Sequence, residues 1–171
     1  METKNSRGRY YLTALIWIIL GAILDQATKY LAIVNLKGQN PYVIWKGVFQ
    51  LEYLENRGAA FGLFQNQRLF FFLSVVFVFL AVLWFYSKVP MNRHFLPLRI
   101  CAVLVMSGAI GNFIDRLRLN YVVDFLYFKL INFPVFNVAD IYVTVAAFSF
   151  FLLLFFYYKE EDLEQIFHNR K

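Results

Sequence analysis

The stretch IYVTVAAFSFFLLLFFYY, residues 141–158, contains no charged residue. A second stretch, LFFFLSVVFVFLAVLWFY at residues 69–86, is equally long and equally free of charge. About 20 apolar residues in a helix cross the hydrocarbon core of a bilayer. In lipid every backbone N–H and C=O must be hydrogen-bonded within the protein, which leaves only helices and closed barrels. Because neither stretch alternates as barrel strands do, both predict membrane-spanning helices.

The composition also favours a membrane protein over a soluble one. Hydrophobic residues make up 60% of the 171-residue chain and charged residues 16%, against about 45–50% and about 25% in soluble domains. A core of this size cannot bury so much apolar surface away from water. The length indicates one domain, residues 1–171. The single cysteine, Cys101, excludes an internal disulfide and a cysteine-based metal site.

Two further apolar segments bring the predicted spans to four, at about residues 10–31, 69–86, 98–114 and 141–158. No small-residue cleavage site follows the first of them, so we expect it to be retained rather than removed as a signal peptide. The sequence therefore predicts an all-α integral membrane protein with four transmembrane helices.

The loops between these spans carry their own patterns. Residues 48–54 alternate, with Phe49, Leu51 and Tyr53 on one face and polar side chains on the other, which predicts a small extracytoplasmic β element. The loop after the third span is rich in Phe and Tyr, as is typical of a short interfacial segment. The acidic cluster at residues 160–164 is expected to be a solvated helix end.

The charge of the chain is positive, with a net charge of +6 and a pI near 9.5. Nucleic-acid binding is one explanation of such a charge, but in a membrane chain Lys and Arg collect at the cytoplasmic side, next to anionic lipid. They are denser in the N-terminus, the second loop and the tail than in the first and third loops. We therefore predict no nucleic-acid partner, both termini in the cytoplasm, and the first and third loops outside.

Ionisable residues near the outer ends of the spans point to function, because charges in lipid are costly and usually face a protein interior. Asp25 and Lys29 are spaced to share one helical face, with the acid before the base. They are either a self-neutralising pair at the interface or part of a polar site, in which Lys29 scaffolds the site or contacts a lipid headgroup. The sequence leaves these alternatives open.

The third span ends in SGAIGNFIDR, residues 107–116. Its small residues, Ser107 and Gly108 among them, predict close packing against another helix. Asn112 carries a carboxamide that needs hydrogen-bond partners. Asp115 and Arg116 are expected to form a structural ion pair at the interface.

Two more carboxylates lie in different local environments. Asp124 has apolar neighbours, and the desolvation that this implies favours its protonated form. Asn137 is a predicted helix N-cap, which makes Asp140 the third helical residue, where the helix dipole favours the ionised form. If the two aspartates face each other, they can share a proton and activate a water molecule, one as base and the other as acid.

Other chemistries receive less support from the residues. Cys101 lies inside a span, and His94 and His168 lie on the predicted cytoplasmic side, far from the carboxylates, so we expect no metal site. Two rival classes remain: a small proton or ion carrier that uses intramembrane carboxylates, and a structural membrane subunit.

Five blocks of this chain together resemble the lipoprotein signal peptidase (signal peptidase II) family. They are DQATK (25–29), NRGAAFG (56–62), SGAIGNFIDR (107–116), VVDF (122–125) and FNVAD (136–140). The resemblance implies a four-helix membrane aspartyl endopeptidase that cleaves a prolipoprotein just before its diacylglyceryl-modified Cys. It further implies a lipid-modified prolipoprotein substrate, contact with membrane lipid, no metal and no organic cofactor. We expect a monomer, because an intramembrane substrate needs lateral access.

The same resemblance assigns roles residue by residue. Asp124 and Asp140 match the catalytic aspartates. The positions that match the family's site-lining set are Asp25, Lys29, Asn56, Gly108, Asn112, Asp115, Arg116, Asn137 and Ala139. The strand predicted at residues 48–54 would correspond to the family's surface β-cradle, and the loop at residues 56–61 is expected to close over the site.

The chain departs from the family pattern at two positions. Asn120 stands where Gly is common, and Asn is the next most tolerant residue for a left-handed turn. Ser107 stands where the family commonly has a doubled Gly, and Ser is still small. We expect both features to survive.

Overall fold

The fold, seen in a computed structural model that describes residues 4–58 and 68–167, combines five helices and a small sheet in its described part. The elements in chain order are α1 (Lys4–Leu36), β1 (Tyr42–Trp45), β2 (Phe49–Asn56), α2 (Arg68–Lys88), α3 (Leu96–Leu119), β3 (Val122–Phe128), a 3-10 turn (Lys129–Ile131), α4 (Val138–Phe156) and α5 (Glu160–Phe167).

The helices α1, α3 and α4 are long and apolar enough to cross a membrane, and α2 adds a shorter apolar helix. Their outward surfaces are apolar and uncovered: Phe77 is 72% exposed, Phe148 67% and Phe156 84%. Side chains of this kind on a helix surface match a hydrocarbon solvent rather than water. The predicted class, a helical integral membrane protein with a small β element, is confirmed.

Two helices extend well beyond the predicted spans. The helix α1 was predicted over about 10–31 but runs from Lys4 to Leu36, because nothing interrupts it before Gly38, whose φ is +73°. The helix α3 continues past Ile114 to Leu119. The helix α4 starts at Val138, directly after the predicted N-cap Asn137, and ends at Phe156, two residues before the predicted end of the span at 158.

The acidic cluster begins a separate helix, α5, so the predicted helix end is the N-terminal end of this helix. Ile166 of α5 is 1% exposed and packs in a core with Val89, Phe95 and Leu98. In the first turn of α5, the Asp162 carboxylate lies 3.0 Å from the His94 imidazole. Leu163 packs against the same core, so two apolar residues three positions apart hold α5, a helix of eight residues that the sequence did not predict.

The sheet has three antiparallel strands in the order β1-β2-β3, of which the sequence predicted only β2. The segment predicted to be interfacial forms β3, and Val122 to Phe125 are buried. Leu54 pairs with Asp124 and Asn56 with Val122. This register places Asn56 and Asp124 at the same end of the sheet.

Small residues let α3 lie close to its neighbours, as predicted. A Cβ added at Gly108 would lie 2.5 Å from the Ala139 carbonyl oxygen on α4. On the other side, a Cβ at Gly21 of α1 would lie 2.7 Å from the Ser107 hydroxyl. Ser107 is thus accommodated because a glycine faces it.

A left-handed residue ends α3 and turns the chain into β3. Asn120 has φ 66° and ψ 13°, and its N–H donates to the Arg116 carbonyl at 3.2 Å. The prediction that the turn survives with Asn in place of Gly is confirmed. The turn is important for the site because it lies only a few residues before Asp124.

Replacing Asn120 by Ala should lower the free energy of unfolding by about 1 kcal/mol, because alanine adopts a left-handed conformation only at a cost. Asn120→Gly, which has no such cost, is the matched control and should be at least as stable as wild type. Thermal unfolding of the three proteins in one detergent measures the difference. Equal melting temperatures for the Ala and Gly variants would show that this turn is not strained.

Candidate active site

Asp124 and Asp140 line one cleft of about 1110 Å³. Asp124 comes from β3 and is 1% exposed, whereas Asp140 comes from the first turn of α4 and is partly exposed. The fold therefore brings together two carboxylates from different elements, as the dyad hypothesis requires.

Asn137 connects the two carboxylates. As the N-cap of α4 it accepts a hydrogen bond from the Asp140 N–H at 3.0 Å, while its own N–H donates to Asp140 Oδ2 at 3.1 Å. Its Nδ2 donates to Asp124 Oδ1 at 2.6 Å. The predicted N-cap is confirmed, and the same side chain also fixes Asp124.

Asn112 orients the other oxygen of Asp140. Its Nδ2 donates to Asp140 Oδ1 at 2.9 Å. Its Oδ1 accepts from Lys29 Nζ at 2.8 Å and from Asn137 Nδ2 at 3.1 Å. Because an ammonium can only donate, Lys29 decides which end of the Asn112 amide faces the aspartate.

Lys29 is 2% exposed and lies between two buried carboxylates, at 2.9 Å from Asp25 and 3.0 Å from Asp115. We refer to these three residues as the charge cluster. The Asp25–Lys29 pair of the first alternative is therefore present, and the burial of Lys29 leaves it little access to a lipid headgroup. Asp115 was expected to pair with its neighbour Arg116, but its ion-pair partner in the structure is Lys29.

The charge cluster holds the backbone that carries both aspartates. Asp25 Oδ1 accepts from the Ala139 N–H at 2.9 Å, next to Asp140. Asp115 Oδ2 accepts from the Val123 N–H at 3.0 Å, next to Asp124. Each catalytic candidate is thus one residue away from a peptide group fixed by the charge cluster.

Two residues beside the charge cluster, Gln26 and Gly111, are not among the predicted site residues, although the small size of Gly111 was expected to permit close helix packing. Gln26 donates through one amide nitrogen to Asp115 Oδ1 at 2.8 Å, the Gly111 carbonyl at 3.1 Å and Asp25 Oδ2 at 3.3 Å. Gly111 leaves space for the Asp25 carboxylate, since an added Cβ would collide with Asp25 Oδ2. Both residues lie inside quoted motifs, and their adjacency to the predicted site residues was the available signal.

Asn56 closes the site from the sheet side. Its Nδ2 donates to Asp124 Oδ2 at 2.9 Å, and its Oδ1 accepts from the Gly58 N–H at 3.0 Å. Arg116 lines the cleft and donates to the Gly58 carbonyl at 3.4 Å. The rest of the loop predicted to close over the site, beyond Gly58, lies outside the described residues.

The environment raises the pKa of Asp124 to about 7. Burial is the main cause, and the nearby charge of Asp140 adds to it. Hydrogen bonds from Asn56 and Asn137 act in the opposite direction and offset only part of the rise. The direction agrees with the sequence-based expectation that Asp124 favours its protonated form.

The cleft is otherwise largely apolar, and its wall includes Ile131, Phe133, Ile141 and Val145. Within residues 4–58 and 68–167, no grouping of three or more His, Cys, Asp or Glu side chains is arranged to hold a metal ion. His168 lies outside the described part of the chain. Two carboxylates in an apolar, partly open cleft can accept and donate protons on either side of one bound water.

Replacing Lys29 by Met should lower the free energy of unfolding by about 3–5 kcal/mol, because it leaves two buried carboxylates without their cation. The matched control is Lys37→Met, which removes a lysine from an ion pair of similar length with Glu55 that is exposed to solvent. This control should unfold close to wild type, since solvent screens exposed pairs. Thermal unfolding in detergent gives both values, and an equal small loss in the two variants would contradict the structural role of the charge cluster.

Comparison with known proteins agrees with this geometry. The family model described as signal peptidase (SPase) II matches residues 17–156. A lipoprotein signal peptidase of Caldanaerobacter subterraneus subsp. tengcongensis is 44% identical over 135 residues, which cover 78% of this chain and 90% of that protein. One from Clostridium tetani is 42% identical over 134 residues, which cover 77% and 85%.

The fold is also similar to that of solved structures. One, described as a bacterial membrane enzyme structure determined by the in meso method at 2.3 Å resolution, superimposes with a TM-score of 0.73 at 28% identity. The match covers 83% of this chain and 87% of that one. With the family model extending over most of the sequence and these relatives covering about four-fifths of it, the chain belongs to the signal peptidase II family of bacterial membrane proteases.

Proposed function

We propose that this protein removes the signal peptide from lipid-modified prolipoproteins, cutting just before the lipidated Cys, and that Asp124 and Asp140 are its catalytic dyad. One observation carries the proposal: three asparagines hold these two carboxylates in one cleft of a membrane protein from the signal peptidase II family.

The dyad would act as an acid–base pair on one water molecule. Asp140 lies in the first turn of α4, where the helix dipole favours its ionised form, so it is the better general base. Asp124, with a pKa raised to about 7, holds the shared proton. As Asp140 takes a proton from the attacking water, Asp124 gives its proton to the carbonyl oxygen, and a tetrahedral diol forms. Proton return through the dyad to the leaving amine then breaks the C–N bond.

The supporting residues divide into two groups by what they touch. Asn56, Asn112 and Asn137 touch the aspartates, and Arg116 lines the same cleft, where its guanidinium can bind substrate carbonyls. The second group positions the backbone beneath the dyad and consists of Asp25, Lys29, Asp115, Gly108 and Ala139.

The substrate would approach from the bilayer. The apolar wall of the cleft suits a signal helix and the acyl chains of the lipidated Cys, while the peptide bond reaches the polar end. Lateral approach requires the cleft to stay open to lipid, which favours a monomer. A proton or ion carrier has no support from the relatives, all of which are lipoprotein signal peptidases among those compared.

The topology that fits this mechanism has both termini in the cytoplasm and the active site near the outer membrane surface. The Lys and Arg bias supports this orientation. Val43 on β1 is 52% exposed and Cys101 is 5% exposed, so Val43→Cys gives a thiol with little background. A membrane-impermeant maleimide should label Val43→Cys in intact cells, and labelling of Arg93→Cys instead would reverse the orientation.

The experiment that tests the proposal is cleavage of a diacylglyceryl-modified prolipoprotein by the purified protein in detergent or liposomes. Asp124→Asn and Asp140→Asn should each slow cleavage by at least about a thousandfold, because each removes one half of the acid–base pair. Glu161→Gln, which neutralises an exposed carboxylate on α5, is the control and should cleave at the wild-type rate. A folded aspartate variant that kept its rate would remove that residue from the dyad.

The raised pKa of Asp124 gives the same variants a pH signature. The cleavage rate should fall as the pH rises through about 7, because the dyad then loses its shared proton. The free energy of unfolding should also fall as the pH rises, because folded Asp124 keeps a proton that the unfolded chain releases near pH 4. The contribution of Asp124 to the free energy of unfolding is therefore full below pH 4 and is lost as the pH rises towards about 7. Asp124→Asn should abolish this slope in melting temperature, and an unchanged slope would assign it to another group.

A further inference from the structure

A second groove, of about 580 Å³, lies between α1 and α3. It runs from Tyr10 and Arg99 at one end to Leu24 and Ser107 at the other. Fifteen residues of helix separate Tyr10 from Asp25, which is about 22 Å at 1.5 Å per residue. The polar end of this groove is therefore far from the dyad and takes no part in the mechanism above.

A buried cation stands at that end. Arg99 is 5% exposed, and its Nη1 donates to the Pro90 carbonyl at 2.6 Å. Its guanidinium lies over the Tyr10 ring, 5.1 Å from the centroid, and the Tyr86 hydroxyl beside it donates to the Tyr10 carbonyl. Arg99 is thus fixed in position at the mouth of the groove.

The charge of Arg99 is not neutralised within the described part of the protein. The ion pairs between residues 4–58 and 68–167 do not include Arg99. A buried guanidinium without an anion is costly. Arg7, which donates to the Ser87 carbonyl at 3.3 Å, and Arg9 add positive charge next to the same end. The missing partner is therefore an anion.

The shape of the groove shows what kind of anion fits. Leu20, Leu24 and Val103 line it, and Trp17 and Ile100, 61% and 50% exposed, stand at its open side. From Arg99 to Ser107 on α3 the wall extends about 12 Å, and α1 continues it to Leu24. A straight hydrocarbon chain with an anionic head fits such a slot, and it can enter sideways from the bilayer.

We propose that this groove binds an anionic phospholipid, with the phosphate against Arg99 and one acyl chain between α1 and α3. The lipid would supply the counter-charge that the protein lacks and fill a slot that two helices leave open. Phosphate contacts by a fixed guanidinium are charge-assisted and directional. The proposal does not depend on the peptidase activity or on the identity of the dyad.

The test uses the purified full-length protein, stripped of lipid in detergent and then given phosphatidylglycerol or phosphatidylcholine with identical acyl chains. Retained lipid is counted by native mass spectrometry, and thermal unfolding is followed in parallel. Wild type should bind one phosphatidylglycerol with an apparent affinity about tenfold above that for phosphatidylcholine. Arg99→Gln should lose this preference, and Arg99→Lys should keep part of it because the charge remains.

Two controls separate the groove from general surface charge. Arg93→Gln removes an exposed arginine from the same end of the molecule and should keep the preference. Thr13→Trp fills the groove without changing charge and should lose the bound lipid, whereas Leu12→Trp, on a residue outside the groove, should retain it.

Several outcomes would overturn the proposal. Equal binding of the two lipids by wild type would show that headgroup charge does not decide binding. An unchanged preference for phosphatidylglycerol in Arg99→Gln would show that Arg99 does not bind the headgroup. Unchanged binding in Thr13→Trp would place the lipid elsewhere. Equal stabilisation by inorganic phosphate alone would show that the acyl chain contributes nothing. Native mass spectra of a dimer without bound lipid would show that the groove is a contact between two copies of the chain.

Discussion

The buried ammonium of Lys29 is the interaction on which the rest of the site depends. It lies between Asp25 and Asp115 and is 2% exposed, so all three charged groups are shielded from solvent. Such a cluster is stable only when all its partners are in place. Because the two carboxylates also accept the N–H groups of Ala139 and Val123, its assembly joins α1, α3, α4 and β3 at one point.

From this point the orientation of the dyad follows step by step. Lys29 donates to the Asn112 oxygen, so Asn112 Nδ2 faces Asp140. Asn137 Nδ2 donates to the same Asn112 oxygen and to Asp124. The carboxylates themselves differ in setting. One is buried on a strand, where its pKa rises to about 7, and the other lies at a helix N-terminus. In the proposed mechanism, this asymmetry gives opposite proton roles to two chemically identical groups.

The sequence predicted what is encoded locally and missed what depends on distant contacts. Uninterrupted apolar runs predicted the helices. Asn137 predicted a helix cap and Asn120 a left-handed turn, because asparagine favours both positions. The strand β3 was not predicted, because its first four residues are all buried and its sequence lacks the alternation of apolar and polar residues that marks a strand. The expected pairing of Asp115 with Arg116 failed for a geometric reason: adjacent residues on a helix point in different directions. The actual partner, Lys29, is far away in the sequence.

The two ends of the molecule treat buried charge in opposite ways. At the dyad end, Asp25 and Asp115 both find their counter-charge in Lys29, inside the protein. At the other end, Arg99 is equally buried but lacks a carboxylate among the described residues. In the proposed mechanism, the first arrangement positions the dyad. The second arrangement, with the phospholipid that we propose, would join the bilayer to the fold at a distance from the dyad.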